Sequence, residues 1–130
     1  NLEKIGDKTV TIDADVIQAD GGTRCASICG GFAAMTLAFE KLIKEGILDE
    51  NPIIEPIAAV SCGIIDNEIK LDLDYSEDSK AGADCNIVMT KSGKIIEFQA
   101  SAEGSAFTKS QLDEIYKTAE TAVQKIITLY

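Results

Sequence analysis

The chain has 130 residues, 45% of them hydrophobic and 26% charged, a balance that suits one domain, or two small halves sharing a core, and excludes a disordered chain. Twelve basic against 22 acidic residues leave a net charge of −10, which argues against nucleic acid as a ligand of these residues alone, since phosphate backbones are met by clustered Lys and Arg. No run reaches the apolar length of a membrane span, the start lacks the build of a secretory signal, and four cysteines without any His form neither a disulfide scaffold nor a zinc pattern, all of which fits a reducing, cytoplasmic compartment.

The opening Asn1-Leu2-Glu3-Lys4-Ile5-Gly6 reads as a helix tail running into a glycine stop, and without an initial Met the chain reads as a fragment. Val10 to Ile17 alternates apolar and polar residues and predicts a strand. Gln18-Ala19-Asp20-Gly21-Gly22-Thr23-Arg24 follows, and Cys25 to Glu45 then has helical spacing. A strand, a glycine pair and a helix start meet at one point. Such a junction leaves backbone N–H groups unpaired at the positive end of the helix dipole, which is an anion site in outline. Arg24 adds a guanidinium able to grip phosphate with two hydrogen bonds, and Thr23 adds a hydroxyl. The same residues also suit a tight turn whose Arg24 pairs with a surface carboxylate.

Ile28, Phe32, Met35, Phe39, Leu42 and Ile43 make one face of the helix, and Gly30 and Gly31 weaken it enough to imply a closely packed neighbour. Cys25 and Cys29 stand one turn apart; that spacing permits metal ligation, but buried small residues fit better. Gly46 ends the helix, and the polar stretch Asp49–Pro56 is the one plausible domain boundary. Ile57 to Ile65 reads as a buried strand, Asp66-Asn67 as a two-residue turn and Glu68 to Leu73 as its return strand. Asp84 to Thr90 and Lys94 to Ala100 form two more strands around Lys91-Ser92-Gly93. Thr108 with Gln111 makes a capping box for a last helix, whose apolar stripe is Leu112, Ile115, Tyr116, Ala119, Ala122, Val123, Ile126 and Ile127. The element order β-α-β-β-β-β-α predicts an α+β or α/β layered fold with mixed strand pairing.

Between Leu71 and Asp84 five acidic residues fall within fourteen positions. Crowded carboxylates suit a hard divalent cation, and Mg²⁺ needs only one or two of them, such as Asp78 and Asp84, beside substrate phosphates. A solvated acidic loop has the same composition. A rival pattern, Asp72-Leu73-Asp74 after an apolar strand, matches an aspartyl-nucleophile phosphatase motif that is short and common by chance.

Together these stretches resemble one family. The run from Ile12 through Ile28 is similar to the phosphate-loop segment of bacterial ribonuclease PH, as are Ala58-Ala59-Val60-Ser61-Cys62-Gly63-Ile64, Asp72 to Ser79, Asp84 to Thr90, and Ile96 to Gly104 with the closing helix. The resemblance covers nearly the whole chain in order. It implies an α+β, ribonuclease PH-like fold: a ribosomal protein S5 domain 2-like first half, its N-terminal part missing, plus a smaller α+β second domain. Residues 1–48 would be the remnant of the first domain and 49–130 the second. It implies a phosphorolytic 3′→5′ exoribonuclease that trims tRNA precursors with inorganic phosphate as co-substrate and releases nucleoside diphosphates. RNA would be its partner and Mg²⁺ its cofactor, in a homo-oligomeric, hexameric ring that is cytoplasmic and without membrane attachment. Gly22, Thr23 and Arg24 would bind the phosphate. Asp78 and Asp84 would be the catalytic carboxylates, positioning Mg²⁺ and assisting proton transfer. The two halves of such a site do opposite electrostatic jobs, because one anion must be brought against another. Cys25 and Cys29 stand where Thr is commoner in the family, and Ala100-Ser101 where Gly-Thr is commoner. A further phosphate-binding Arg and the basic RNA surface would belong to the missing half, so the 130 residues by themselves are expected to be inactive. The alternative is a non-catalytic exosome-type ring subunit that contributes interfaces and RNA path; the presence of Arg24, Asp78 and Asp84 together favours the enzyme.

Overall fold

Runs of small and β-branched apolar residues build one four-stranded sheet in the computed structural model, which describes residues 1–104 and 106–130. Its strands are β1 (Ile57–Ile65), β2 (Glu68–Leu71), β3 (Ala83–Thr90) and β4 (Ile95–Ala102), in the order β2-β1-β3-β4. Asp66 and Asn67 both take left-handed φ, at 51° and 65°, the conformation a two-residue hairpin needs, so β2 folds straight back with Ile65 opposite Glu68. Every pairing is antiparallel, where mixed pairing was expected. The physical reason is the shortness of the connections: a parallel neighbour requires a crossover of about a dozen residues or more, usually a helix. The acidic loop instead holds only the single turn α2 (Tyr75–Asp78).

The period of two sorts each strand into two faces. Ala58, Val60, Cys62 and Ile64 of β1 face the helix α3 (Lys109–Ile127), with Cys85, Ile87 and Met89 of β3 beside them. From α3 come Ile115, Ala119, Val123 and Ile127, four residues apart and all buried, while Leu112, Tyr116, Ala122 and Ile126 of the same stripe are half-buried. The capping box at Thr108 and Gln111 is formed from both sides. Cys62 and Cys85 are register partners in this core; both thiols are free and buried.

The opposite face, with Ala59, Ser61 and Gly63 of β1 and Asp84, Asn86 and Val88 of β3, lies under the helix α1 (Thr23–Lys44). Cys25, Ala59 and Val88 make a small second core there. Of α1's 22 residues only Cys25, Phe32 and Phe39 are buried. Cys25 is buried as expected but Cys29 is only half-buried: its sulfur accepts from the Ala59 N–H at 3.2 Å and lies 3.3 Å from the Ala59 carbonyl, covering a stretch of β1 that β2 is too short to pair.

Two further expectations are corrected. Val10 to Ile17 forms no strand and pairs with none among the described residues; instead it lies along α1, with Ile12 so close to Gly31 that a Cβ there would stand 2.9 Å from its side chain. Gly31 therefore has the close neighbour its presence implied, whereas Gly30 has open space. The second correction concerns α1, which is long and apolar enough to cross a membrane by length and composition. Its Ala, Gly, Cys and Phe residues dilute the charges that the acidic composition places elsewhere.

Candidate anion and carboxylate site

The turn into α1 is shaped by its glycines. A Cβ on Gly21 would stand 1.8 Å from the Leu73 carbonyl oxygen, so only glycine lets the loop press against the chain entering α2. Gly22 has φ 67° and serves as N-cap with no side chain capping it. The first amide to close a helical turn is that of Ala26, on the Gly22 carbonyl at 3.0 Å. The amides of Thr23, Arg24 and Cys25 thus have no partner within the helix and sit at its positive end.

Three side chains define what lies around this turn. The Asp20 carboxylate accepts from the Gly21 N–H at 2.9 Å and the Tyr75 N–H at 2.6 Å, tying the loop to the start of α2. Thr23 donates its hydroxyl to the Asp20 carbonyl at 2.9 Å. Beneath Gly22 lies Ser61, only 4% exposed, whose Oγ has no hydrogen-bond partner among the described residues. A Cβ on Gly22 would fall 2.8 Å from that oxygen, so the orphan hydroxyl faces the loop.

Arg24 reaches over the sheet to β4, where its two terminal nitrogens donate to both Glu97 oxygens at 2.6 and 2.8 Å. Each partner holds the other charged: Glu97 raises the proton affinity of the guanidinium, and Arg24 holds the carboxyl below its ordinary range. The turn reading of the motif, an Arg paired with a surface carboxylate, is realised in this pair.

Asp84 lies on the α1 side of the sheet. Asp84 shares its face of β3 with Asn86, whose side-chain oxygen accepts from the Cys25 thiol at 3.1 Å. Cys25 feels the charges of Arg24, Asp84 and Glu97 at once, although burial is the main cause that pushes its thiol up to about 11. Asp84 binds its proton more tightly than an ordinary carboxyl, first because it is partly buried and then because Asp78 and Glu103 bring negative charge against it. Asp78 sits at the end of α2, near enough for its charge to act on Asp84. Asp74, half of the phosphatase-like pair, is spent as the cap of α2, accepting from the Glu77 N–H at 2.9 Å and the Ser76 hydroxyl at 2.7 Å. Among the described residues no three His, Cys, Asp or Glu side chains converge as a metal cage.

Asp20, Ser61 and Glu97 were not singled out from the sequence. Asp20 had a signal, being an Asx residue before a glycine pair. Ser61 and Glu97 had none, since only the β1–β3–β4 register places them beside positions 22 and 24.

A sequence profile described as "3' exoribonuclease family, domain 2" matches residues 55–122. The chain is 50% identical over 127 residues to ribonuclease PH of Neisseria gonorrhoeae, covering 98% of this chain and 52% of that protein. It is 48% identical over 129 residues to ribonuclease PH of Crocosphaera subtropica, covering 99% of this chain and 54% of that one. The chain thus spans about half the length of the curated relatives it matches. Among solved structures it superposes on rice (Oryza sativa) Rrp46 with a TM-score of 0.64 at 18% identity, over 85% of this chain and 46% of that one. An Archaeoglobus fulgidus exosome with RNA bound to the active site gives 0.67 at 19% identity, over 86% and 44%. These last two speak for the fold, and they bear out the α+β, ribonuclease PH-like architecture read from the motifs. With a profile matched over more than half its length, this chain belongs to the 3′ exoribonuclease family and carries that family's second domain.

Proposed function

We propose that the whole protein is a phosphorolytic 3′→5′ exoribonuclease that shortens tRNA precursors with inorganic phosphate. The observation that carries this reading is the uncapped start of α1, with the orphaned Ser61 hydroxyl beneath Gly22 and Asp84 on the same sheet face. An anion with several acceptor oxygens suits such a set of donors. In this reading the amides of Gly22 and Thr23, the Ser61 hydroxyl and Arg24 bind the phosphate and offset its repulsion from the RNA. The phosphate oxygen attacks the terminal phosphodiester, the bond to the 3′ oxygen breaks, and a nucleoside diphosphate leaves. In this reading Asp84, its proton affinity raised by burial and by the charges of Asp78 and Glu103, assists proton transfer to the departing 3′ oxygen.

Asp78 sets its negative charge against Asp84, an arrangement that suits a hard cation, and Mg²⁺ would be held by these two carboxylates with phosphate and water completing its shell. When bound it would supply charge neutralisation at the leaving group. The net charge of −10 requires the RNA-binding basic surface to lie on other residues or neighbouring subunits. A homo-oligomeric ring, hexameric as in the resembled family, would bring such neighbours, and a cytoplasmic site of action agrees with an RNA substrate. Residues 1–48 and 49–130 are assigned to the end of a first domain and to a second domain.

One observation favours the second reading, a non-catalytic exosome-type ring subunit: the Arg24 fork is already filled by Glu97. The test is phosphate-dependent shortening of an RNA with a 3′ tail by the full-length protein and by its Asp78→Asn and Asp84→Asn variants. The enzyme reading expects shortening only with phosphate and its steep loss in both variants. No shortening by the wild type, with ring assembly intact, supports the ring-subunit reading instead.

A further inference from the structure

Glu97 is the unexplained member of this site. It lies on β4 opposite Val88, and both of its oxygens occupy both terminal nitrogens of Arg24 in the parallel, two-bond geometry that guanidinium also uses for phosphate. An incoming phosphate therefore meets a fork already filled by an anion of the protein itself. The pair is open to solvent, with Arg24 51% and Glu97 36% exposed in their side chains, so phosphate can reach it and water can receive the displaced carboxylate. An exposed ion pair is weakly held, so exchange of one anion for another is feasible.

We propose that Glu97 is an internal competitor for the phosphate site, a carboxylate that must release Arg24 before phosphate can bind in its place. The proposal rests on the reading of Arg24 as the phosphate ligand. Glu97 acts through Arg24 and is a positioning residue, setting how much phosphate the site requires. Two effects oppose each other when it is removed. Loss of its negative charge relieves repulsion of a phosphate dianion held a few ångströms away. Loss of its hydrogen bonds frees Arg24 to wander. Glu97→Gln separates them, because a glutamine oxygen still accepts from Arg24 while the charge is gone.

The measurement is the dissociation constant of inorganic phosphate on the full-length protein by titration calorimetry, for wild type, E97Q, E97A and R24A. We expect E97Q to bind phosphate about threefold to tenfold more tightly, the scale of one screened charge pair near a protein surface. E97A should tighten less, since Arg24 is then untethered, and R24A should abolish binding. A residue that merely braced the loop would weaken binding in both Glu97 variants. Phosphate affinity unchanged or weakened in E97Q, with R24A still abolishing it, overturns the competitor and leaves the phosphate site standing. Phosphate affinity unchanged in R24A overturns the phosphate site and the competitor with it. If E97Q fails to fold, as seen by a lost thermal transition, E97A decides, and weaker binding there counts against the proposal.

Discussion

Replacing Ser61 by alanine should make the protein more stable and worse at binding phosphate. Ser61 is 96% hidden from solvent, taking the complement of its 4% exposure, and its Oγ meets no partner among the described residues. A buried hydroxyl left unsatisfied costs about 1–3 kcal/mol, and alanine removes that oxygen while leaving a void of only one atom. The net gain in phosphate-free buffer is on the order of 1 kcal/mol, which for a domain of this size raises the melting temperature by about 3–4 °C. With phosphate the order reverses in part. A hydrogen bond to a charged group contributes about 1.5–3 kcal/mol, so S61A should lose roughly tenfold in phosphate affinity and gain less from added phosphate. Differential scanning calorimetry of the full-length protein with and without phosphate reads both effects. A lower melting temperature for S61A in phosphate-free buffer would refute the reasoning, because the hydroxyl would then be satisfied in the unliganded fold.

Two further substitutions test the frame around the site. Gly21→Ala forces a Cβ to within 1.8 Å of the Leu73 carbonyl oxygen, a backbone atom that cannot swing aside, and should cost about 3 kcal/mol in chemical denaturation. Asp84→Asn should abolish turnover yet stabilise the fold at neutral pH, where the folded-state pKa of Asp84, raised by burial and by Asp78 and Glu103, makes its charge unfavourable. Between the ordinary carboxyl pKa and the raised one the folded state binds more protons than the unfolded one, so stability falls as pH rises through that window. The advantage of the variant over wild type should therefore shrink as pH falls and vanish below the ordinary carboxylate range, as read by denaturant melts from pH 7 to pH 3.

The second half of the chain was legible because each of its elements has a local cause. Asp66-Asn67 forces its own hairpin, Thr108 and Gln111 cap their own helix, and every fourth residue of the stripe from Ile115 to Ile127 is buried. Val10 to Ile17 was misread because alternation describes a strand that has a neighbour, and among the described residues this one has α1 instead. The pairing mode was misread because element order does not reveal that the acidic loop supplies only one helical turn. Within the site, the glycine pair and Arg24 announce themselves by proximity in sequence. Glu97 lies 73 residues from Arg24 and Ser61 lies 38 positions beyond Thr23, so only strand register brings them in. The charge of Arg24 was legible; its present partner was not.

The central claim is that inorganic phosphate, bound at the start of α1, is the nucleophile that cuts RNA. The direct measurement is transfer of radiolabelled inorganic phosphate into nucleoside diphosphate by the full-length protein acting on an RNA with a free 3′ end. The wild type is expected to place label in the β-phosphate of the released diphosphates, and Arg24→Ala to lose it while RNA binding persists. Release of unlabelled nucleoside monophosphates, or undiminished labelling by the Arg24→Ala protein, would contradict it.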